Sequence, residues 1–109
     1  MDTLKVGTVV LLKFPFADSM KYKRRPALVL KDTEDGDILV CRVTSKIYKS
    51  MYDIYLEDWL KFGLKLPSVI RVHKIATLEK CMIEILLGQI DESVLSKVKL
   101  LYMSILENE

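Results

Sequence analysis

The chain has 109 residues, half of them apolar and 29% charged, with a formal charge of +2. That length allows one domain, and the composition excludes intrinsic disorder, which needs low hydrophobicity and high net charge. A charge of +2 taken alone argues against a nucleic-acid binder, but it is an average: residues 1–31 carry seven basic side chains against two acidic ones, +5, and the other 78 residues carry −3.

Half apolar is more than a lone small domain hides easily, which points to a buried subunit interface. The N-terminal residues have no long apolar stretch of signal-peptide type, and the run Ile85-Leu86-Leu87 is far too short to cross a bilayer. A cytoplasmic protein with no membrane association is expected. Cys41 and Cys81 stand 40 residues apart with no Cys-x-x-Cys pattern, so they are expected as buried, reduced thiols rather than a zinc site or a disulfide.

In chain order, Thr8 to Phe14 alternates Val10, Leu12 and Phe14 and reads as a strand. Residues 15–25 are polar and basic without helical period, hence a loop. Pro26 to Lys31 reads as a second strand entered through proline. The acidic segment 32–37, with Asp35-Gly36 as its sharpest signal, is a turn. Ile38 to Ser45 and Tyr52 to Leu56 are the third and fourth strands. Glu57 to Phe62 suits a short helix stopped by Gly63. Ser68 to Ile75 is a fifth strand and part of Met82 to Gln89 a sixth. Asp91 can cap a C-terminal helix reaching about Leu106, with Val94, Val98, Leu101 and Ile105 as its apolar stripe. The pattern is that of a mainly β protein, a small barrel or sandwich with a helix packed on it.

The second and third strands flank the acidic turn and should form an antiparallel hairpin, in which opposing residue numbers have a constant sum. A sum of 69 (Lys31 opposite Ile38) brings Arg25 directly across from Thr44; a sum of 71 (Glu34 opposite Asp37) makes them diagonal. Both sums put the two on one face, about 5–8 Å apart at Cβ. That face carries Arg25, Lys31, Arg42 and Thr44 with Ala27, Val29 and Val40 between, and reads as the polar side. Leu28, Leu30, Leu39, Cys41 and Val43 form the apolar side. An arginine beside a hydroxyl can grip a phosphate through the guanidinium fork. On the fifth strand Arg71 and His73 share a face, roughly 7 Å apart. His73 is the chain's one histidine, which excludes a two-histidine ribonuclease site within a single subunit.

Read together, G-T-V-V-L-L-K-F-P-F at 7–16, K-R-R-P-A-L-V-L at 23–30, V-C-R-V-T-S-K at 40–46, P-S-V-I-R-V-H-K-I-A-T-L at 67–78 and L-G-Q-I-D at 87–91 resemble the MazF/PemK-like toxins of type II toxin–antitoxin systems. The resemblance spans nearly the whole chain, 1–109, as one toxin domain. It implies an SH3-like β-barrel with appended helices, here a short mid-chain helix and a C-terminal one. It further implies a homodimer and a metal-independent, cofactor-free endoribonuclease that cuts single-stranded RNA at short sequences. A cognate antitoxin would occupy the RNA groove. Arg25, before the proline, and Thr44, at the third strand's end, match the family's two principal catalytic positions. Arg71 matches an arginine of PemK-like members, whereas His73 stands where the family commonly has an acid. Both are candidates for handling protons, since a neutral imidazole still accepts one near pH 7. Lys21, Lys23, Arg24, Ser45 and Lys46 are candidates for lining the RNA groove. Two other readings remain open: a non-catalytic SH3-like module binding nucleic acid or peptide, and a gyrase poison of the CcdB type.

Overall fold

A computed structural model of the chain describes residues 2–15 and 22–107. The strands are β1 (Thr8–Pro15), β2 (Tyr22–Asp32), β3 (Asp37–Thr44), β4 (Asp53–Leu56), β5 (Ser68–Glu79) and β6 (Ile83–Gln89), followed by the helix α1 (Glu92–Glu107). They form one antiparallel sheet in the order β4-β5-β3-β2-β1-β6.

β2 starts before Pro26, which pairs with Leu11 of β1, while the β2–β3 ladder runs from Ala27. A proline has no N–H for a second ladder, so pairing on that side begins one residue later. From Ala27↔Arg42 to Val29↔Val40 the pairs sum to 69, and a bulge at Leu30 then sets Lys31 against Leu39. The sum of 69 therefore holds over Ala27 to Val29 but not at Lys31, where Leu39 and not Ile38 is the partner. The larger irregularity lies in β5. Cys41 pairs with Ile75 and Arg42 with Arg71, so residues 72–74 bulge out opposite β3.

Both faces of the sheet are buried, which corrects the expected polar side. One face carries Val9, Leu28, Cys41, Val43, Ile70 and Val72 beneath Leu95 and Val98 of α1. The other carries Val10, Leu12, Ala27, Val29, Ile38 and Val40, covered by Leu4, Leu78, Met82 and Ile83. Ala27, Val29 and Val40 are thus core residues, whereas Lys74 and Thr77 within β5 stay exposed. Each such aliphatic side chain contributes on the order of 1–3 kcal/mol of burial free energy.

The helix expected over Glu57–Phe62 does not form. Phe62 N–H donates to Asp58 O, Gly63 N–H to Leu60 O and Leu64 N–H to Trp59 O, three bonds of different span that never repeat as a helix requires. Gly63 closes this turn at φ +87°, and Trp59 still packs against the first core as a plug. The helical turn between β5 and β6 is a 3₁₀ turn, Lys80–Met82. It turns Cys81 outward, so only Cys41 is the buried thiol expected, its pKa pushed up to about 12 by burial. α1 is capped as expected, Asp91 Oδ1 accepting the Val94 N–H at 3.0 Å, and its Tyr102 hydroxyl donates to Val72 O at 2.5 Å.

The acidic turn is anchored by Asp32. Its carboxylate accepts from Lys80 Nζ at 2.6 Å, Leu4 N–H at 2.9 Å and Glu34 N–H at 3.0 Å, and these bonds hold its pKa down at about 2. No helix among the described residues is long and apolar enough to cross a membrane.

Candidate active site

Two clefts of about 380 Å³ each open beside the Arg25 end of β2, and Arg25 and Pro26 line both. In the first, Lys23, Arg24 and Arg25 of β2 face the segment Gly63–Leu66, with Val43, Thr44 and Ser45 at one side and Leu87 of β6 below. Gly63 is packed so closely that a Cβ there would lie 2.0 Å from Leu87 O. The turn that replaces the expected helix therefore forms one wall of the cleft, docked backbone-to-backbone on β6.

Arg25 is half-buried and makes no ion pair among the described residues. Thr44 Oγ1 accepts the Lys46 N–H at 3.2 Å. That bond uses an oxygen lone pair and leaves the hydroxyl hydrogen available to donate to a bound anion. Among the described residues Lys65 is the remaining cation of the cleft, and no acidic side chain lines it. Arg24 is engaged, its Nε donating to Glu84 Oε2 at 2.7 Å. Lys23 and Lys46 are exposed, and Lys21 lies outside the described residues.

Arg71 and His73 do not line this cleft. They belong to a neighbouring cluster formed by β4, β5 and the loop between β3 and β4. Arg71 Nε donates to Asp53 Oδ1 at 2.8 Å, and its guanidinium lies 3.6 Å from the centre of the Tyr48 ring. Burial raises the Asp53 carboxyl, but hydrogen bonds from Arg71 and Ser50 outweigh it and hold the group below the usual carboxylate range. Lys46 Nζ sits 5.1 Å from the same ring. The Tyr48 hydroxyl is drawn below its ordinary pKa, first by a hydrogen bond with Lys46 and then by the charges of Lys46, Arg42 and Arg71. His73 packs its ring 4.8 Å from that of Tyr52, and its Nδ1 is buried without a hydrogen-bond partner among the described residues. Burial first, and Arg71 and Lys74 next, lower its pKa from the ordinary value against an opposing pull from Asp53. The imidazole is therefore neutral at pH 7. Tyr48 and Asp53 escaped the sequence reading because nothing in the chain announces which carboxylate will meet Arg71 across β4 and β5. No three His, Cys, Asp or Glu side chains among the described residues are grouped to hold a metal ion.

A mainly antiparallel β domain, closed by one helix and carrying a cationic cleft with an arginine and a threonine, is the class of protein these features define. The family model of PemK-like, MazF-like toxins of type II toxin–antitoxin systems matches residues 5–105, and the chain belongs to that family. Solved structures share its fold. The structure of a MazE–MazF complex from Deinococcus radiodurans matches at TM-score 0.80 and 24% identity, over 99% of this chain and 100% of that one. MazF of the same organism matches at TM-score 0.74 and 25% identity, over 99% and 100%. An endoribonuclease from a mycobacterial species, in complex with its cognate antitoxin, matches at TM-score 0.71 and 16% identity, over 95% of each chain. A search of curated protein sequences gave no significant match.

Proposed function

We propose that this toxin is a metal-independent endoribonuclease that cuts single-stranded RNA in the cleft between β2 and the Gly63–Leu66 segment. The observation that carries the reading is that Arg25, free of any ion pair among the described residues, and Thr44, with a hydroxyl hydrogen to give, line the same cleft.

The reaction needs no group beyond the RNA and side chains. The ribose 2′-OH attacks the adjacent phosphorus, the bond to the 5′-oxygen breaks, and the products are a 2′,3′-cyclic phosphate and a 5′-OH. Arg25 neutralises the charge that grows on the phosphorane, and Thr44 donates to a non-bridging oxygen. His73, as a neutral imidazole, takes the 2′-OH proton, and the imidazolium so formed gives a proton to the departing 5′-oxygen. Arg71, already committed to Asp53, supplies fixed positive charge beside it rather than a mobile proton. Lys23, Ser45, Lys46 and Lys65 steer the RNA, with Lys21 as a further candidate.

On this reading residues 1–109 are one toxin domain working in the cytoplasm, with the sheet curled toward an SH3-like barrel around the second core. A second copy covers exposed apolar side chains such as Leu60, Leu100 and Met103, and a cognate antitoxin blocks the cleft. The MazE–MazF complex from Deinococcus radiodurans and the mycobacterial endoribonuclease–antitoxin complex support the last expectation. End-group analysis tests the chemistry. Fragments released in EDTA should carry 5′-OH ends that polynucleotide kinase phosphorylates directly and 3′ ends that resist ligation until the cyclic phosphate is removed. Fragments with 5′-phosphate ends would rule out 2′-OH attack.

A further inference from the structure

The second cleft has no role in the chemistry above. Its floor is apolar, with Leu12, Ala27 and Ile75, and its rim is cationic, with Arg25, Arg42 and Lys74. Among the described residues no carboxylate lines it and none of these three cations makes an ion pair. Three other cations, Arg24, Arg71 and Lys80, each meet a carboxylate within 2.8 Å. Three unpaired positive charges converging on one cavity repel one another, an arrangement that an incoming anion relieves.

The backbone explains how they converge. Arg42 pairs with Ala27, so it lies diagonal to Arg25 on the same face of the β2–β3 ladder, roughly 7–8 Å away at Cβ. Lys74 comes from the bulge of β5, whose three residues 72–74 have no partner on β3. A bulge re-aims a side chain that a regular strand would point elsewhere. Across β3 and β5, Arg42 also sits directly opposite Arg71, whose charge Asp53 takes up.

We infer that this second cleft is a phosphate-binding subsite, in which Arg42 and Lys74 hold the RNA phosphate next to the one cut beside Arg25 and Thr44. The inference rests on the reading of the first cleft as the cleavage site. RNA is favoured over an acidic peptide because the two clefts share Arg25, and the diagonal step between them is a span that neighbouring phosphates of an extended strand can bridge.

Arg42→Gln, Lys74→Gln and the double variant test it on one single-stranded RNA that the wild type cuts, with Lys99→Gln on exposed α1 as a charge-matched control. Each subsite variant should raise KM about tenfold, with the loss carried by KM rather than kcat. Each should also flatten the dependence of log(kcat/KM) on log salt by about 0.7 per lost phosphate contact. The variants should unfold at the same or higher urea concentration than the wild type, because a repulsive charge has been removed. A double variant with the KM and salt slope of the wild type overturns the subsite while leaving RNA cleavage standing. Unchanged RNA kinetics with weakened antitoxin binding overturns it in favour of an acidic-peptide contact. If the wild type cuts no RNA, the cleavage reading falls and the subsite is judged on inorganic pyrophosphate titrated by calorimetry. Binding lost in the double variant then upholds an anion site, and equal binding overturns it.

Discussion

Arg71 is fastened to Asp53, Nε to Oδ1 at 2.8 Å, under the face of the Tyr48 ring. Asp53 is almost fully buried and Arg71 nearly so, which makes the pair a fixed strut joining β4, β5 and the loop that follows Thr44. Removing one member of such a pair strands the other charge. Asp53→Asn should therefore cost about 3 kcal/mol of stability by urea denaturation. Asp53→Asn combined with Arg71→Met should cost less than the sum of the single changes. Additive losses would show that the strut carries no coupling.

Thr44 offers a cleaner test of chemistry than of fold. Thr44→Val keeps the shape and removes the donor, so the cleavage rate should fall on the order of 10²–10³-fold with little change in RNA affinity. Thr44→Ser should restore most of it. A valine variant as active as the wild type would remove Thr44 from the site.

The wall of the first cleft depends on Gly63, which combines φ +87° with a backbone neighbour 2.0 Å from where a Cβ would sit. Gly63→Ala should cost about 2–4 kcal/mol, since strain and overpacking add. Gly36, at φ +94° but with nothing within 4 Å of its Cβ position, is the control. There Gly36→Ala should cost only about 1 kcal/mol, the conformational part alone. Equal urea midpoints for the two variants would mean the Gly63–Leu87 contact does not constrain the fold.

His73 sets a window of pH dependence. Its pKa in the folded protein lies below the ordinary 6.5, so the unfolded chain binds the proton more readily. Its contribution to stability is whole above about pH 6.5 and is lost as the pH falls from there toward the folded value. Tyr52, Arg71, Lys74 and Asp53 surround it, and the carboxylate titrates well below this window. Asp32 has the opposite shift, so its contribution is lost only as the pH falls through about 3.8 toward about 2. Urea midpoints at pH 7.5 and 5.5 should drop for the wild type and stay level for His73→Gln. A matching drop in the variant would assign the effect to other groups.

Arg25 and Thr44 line one cleft, but the anchor of the hairpin reading, Lys31 opposite Ile38, does not form, and the sum of 69 holds over Ala27 to Val29 only because the bulge at Leu30 shifts the count. An inserted residue leaves no mark in a run as uniform as Ala27-Leu28-Val29-Leu30. Arg42 was visible on the right face, whereas Lys74 was not, because the bulge at 72–74 cancels the two-residue alternation that a strand reading assumes. The burial of Ala27, Val29 and Val40 was missed for a related reason. A sheet covered on both sides has no solvent face, and the cover comes from Leu4, Leu78, Met82 and Ile83, remote in sequence. Glu57–Phe62 has helical composition, yet it ends in Gly63 docked on the backbone of β6, a tertiary contact that the local sequence does not announce. Composition sorted charge correctly only after the +2 average was divided along the chain.

The central claim is that Arg25 and Thr44 cut RNA without a metal ion. Its most direct measurement is incubation of the purified protein with single-stranded RNA in excess EDTA, beside Arg25→Ala at matched concentration and verified folding. The wild type should release discrete fragments, and the variant should lose at least about 10²-fold in rate. Intact RNA with the wild type, or equal cutting by Arg25→Ala, would contradict it.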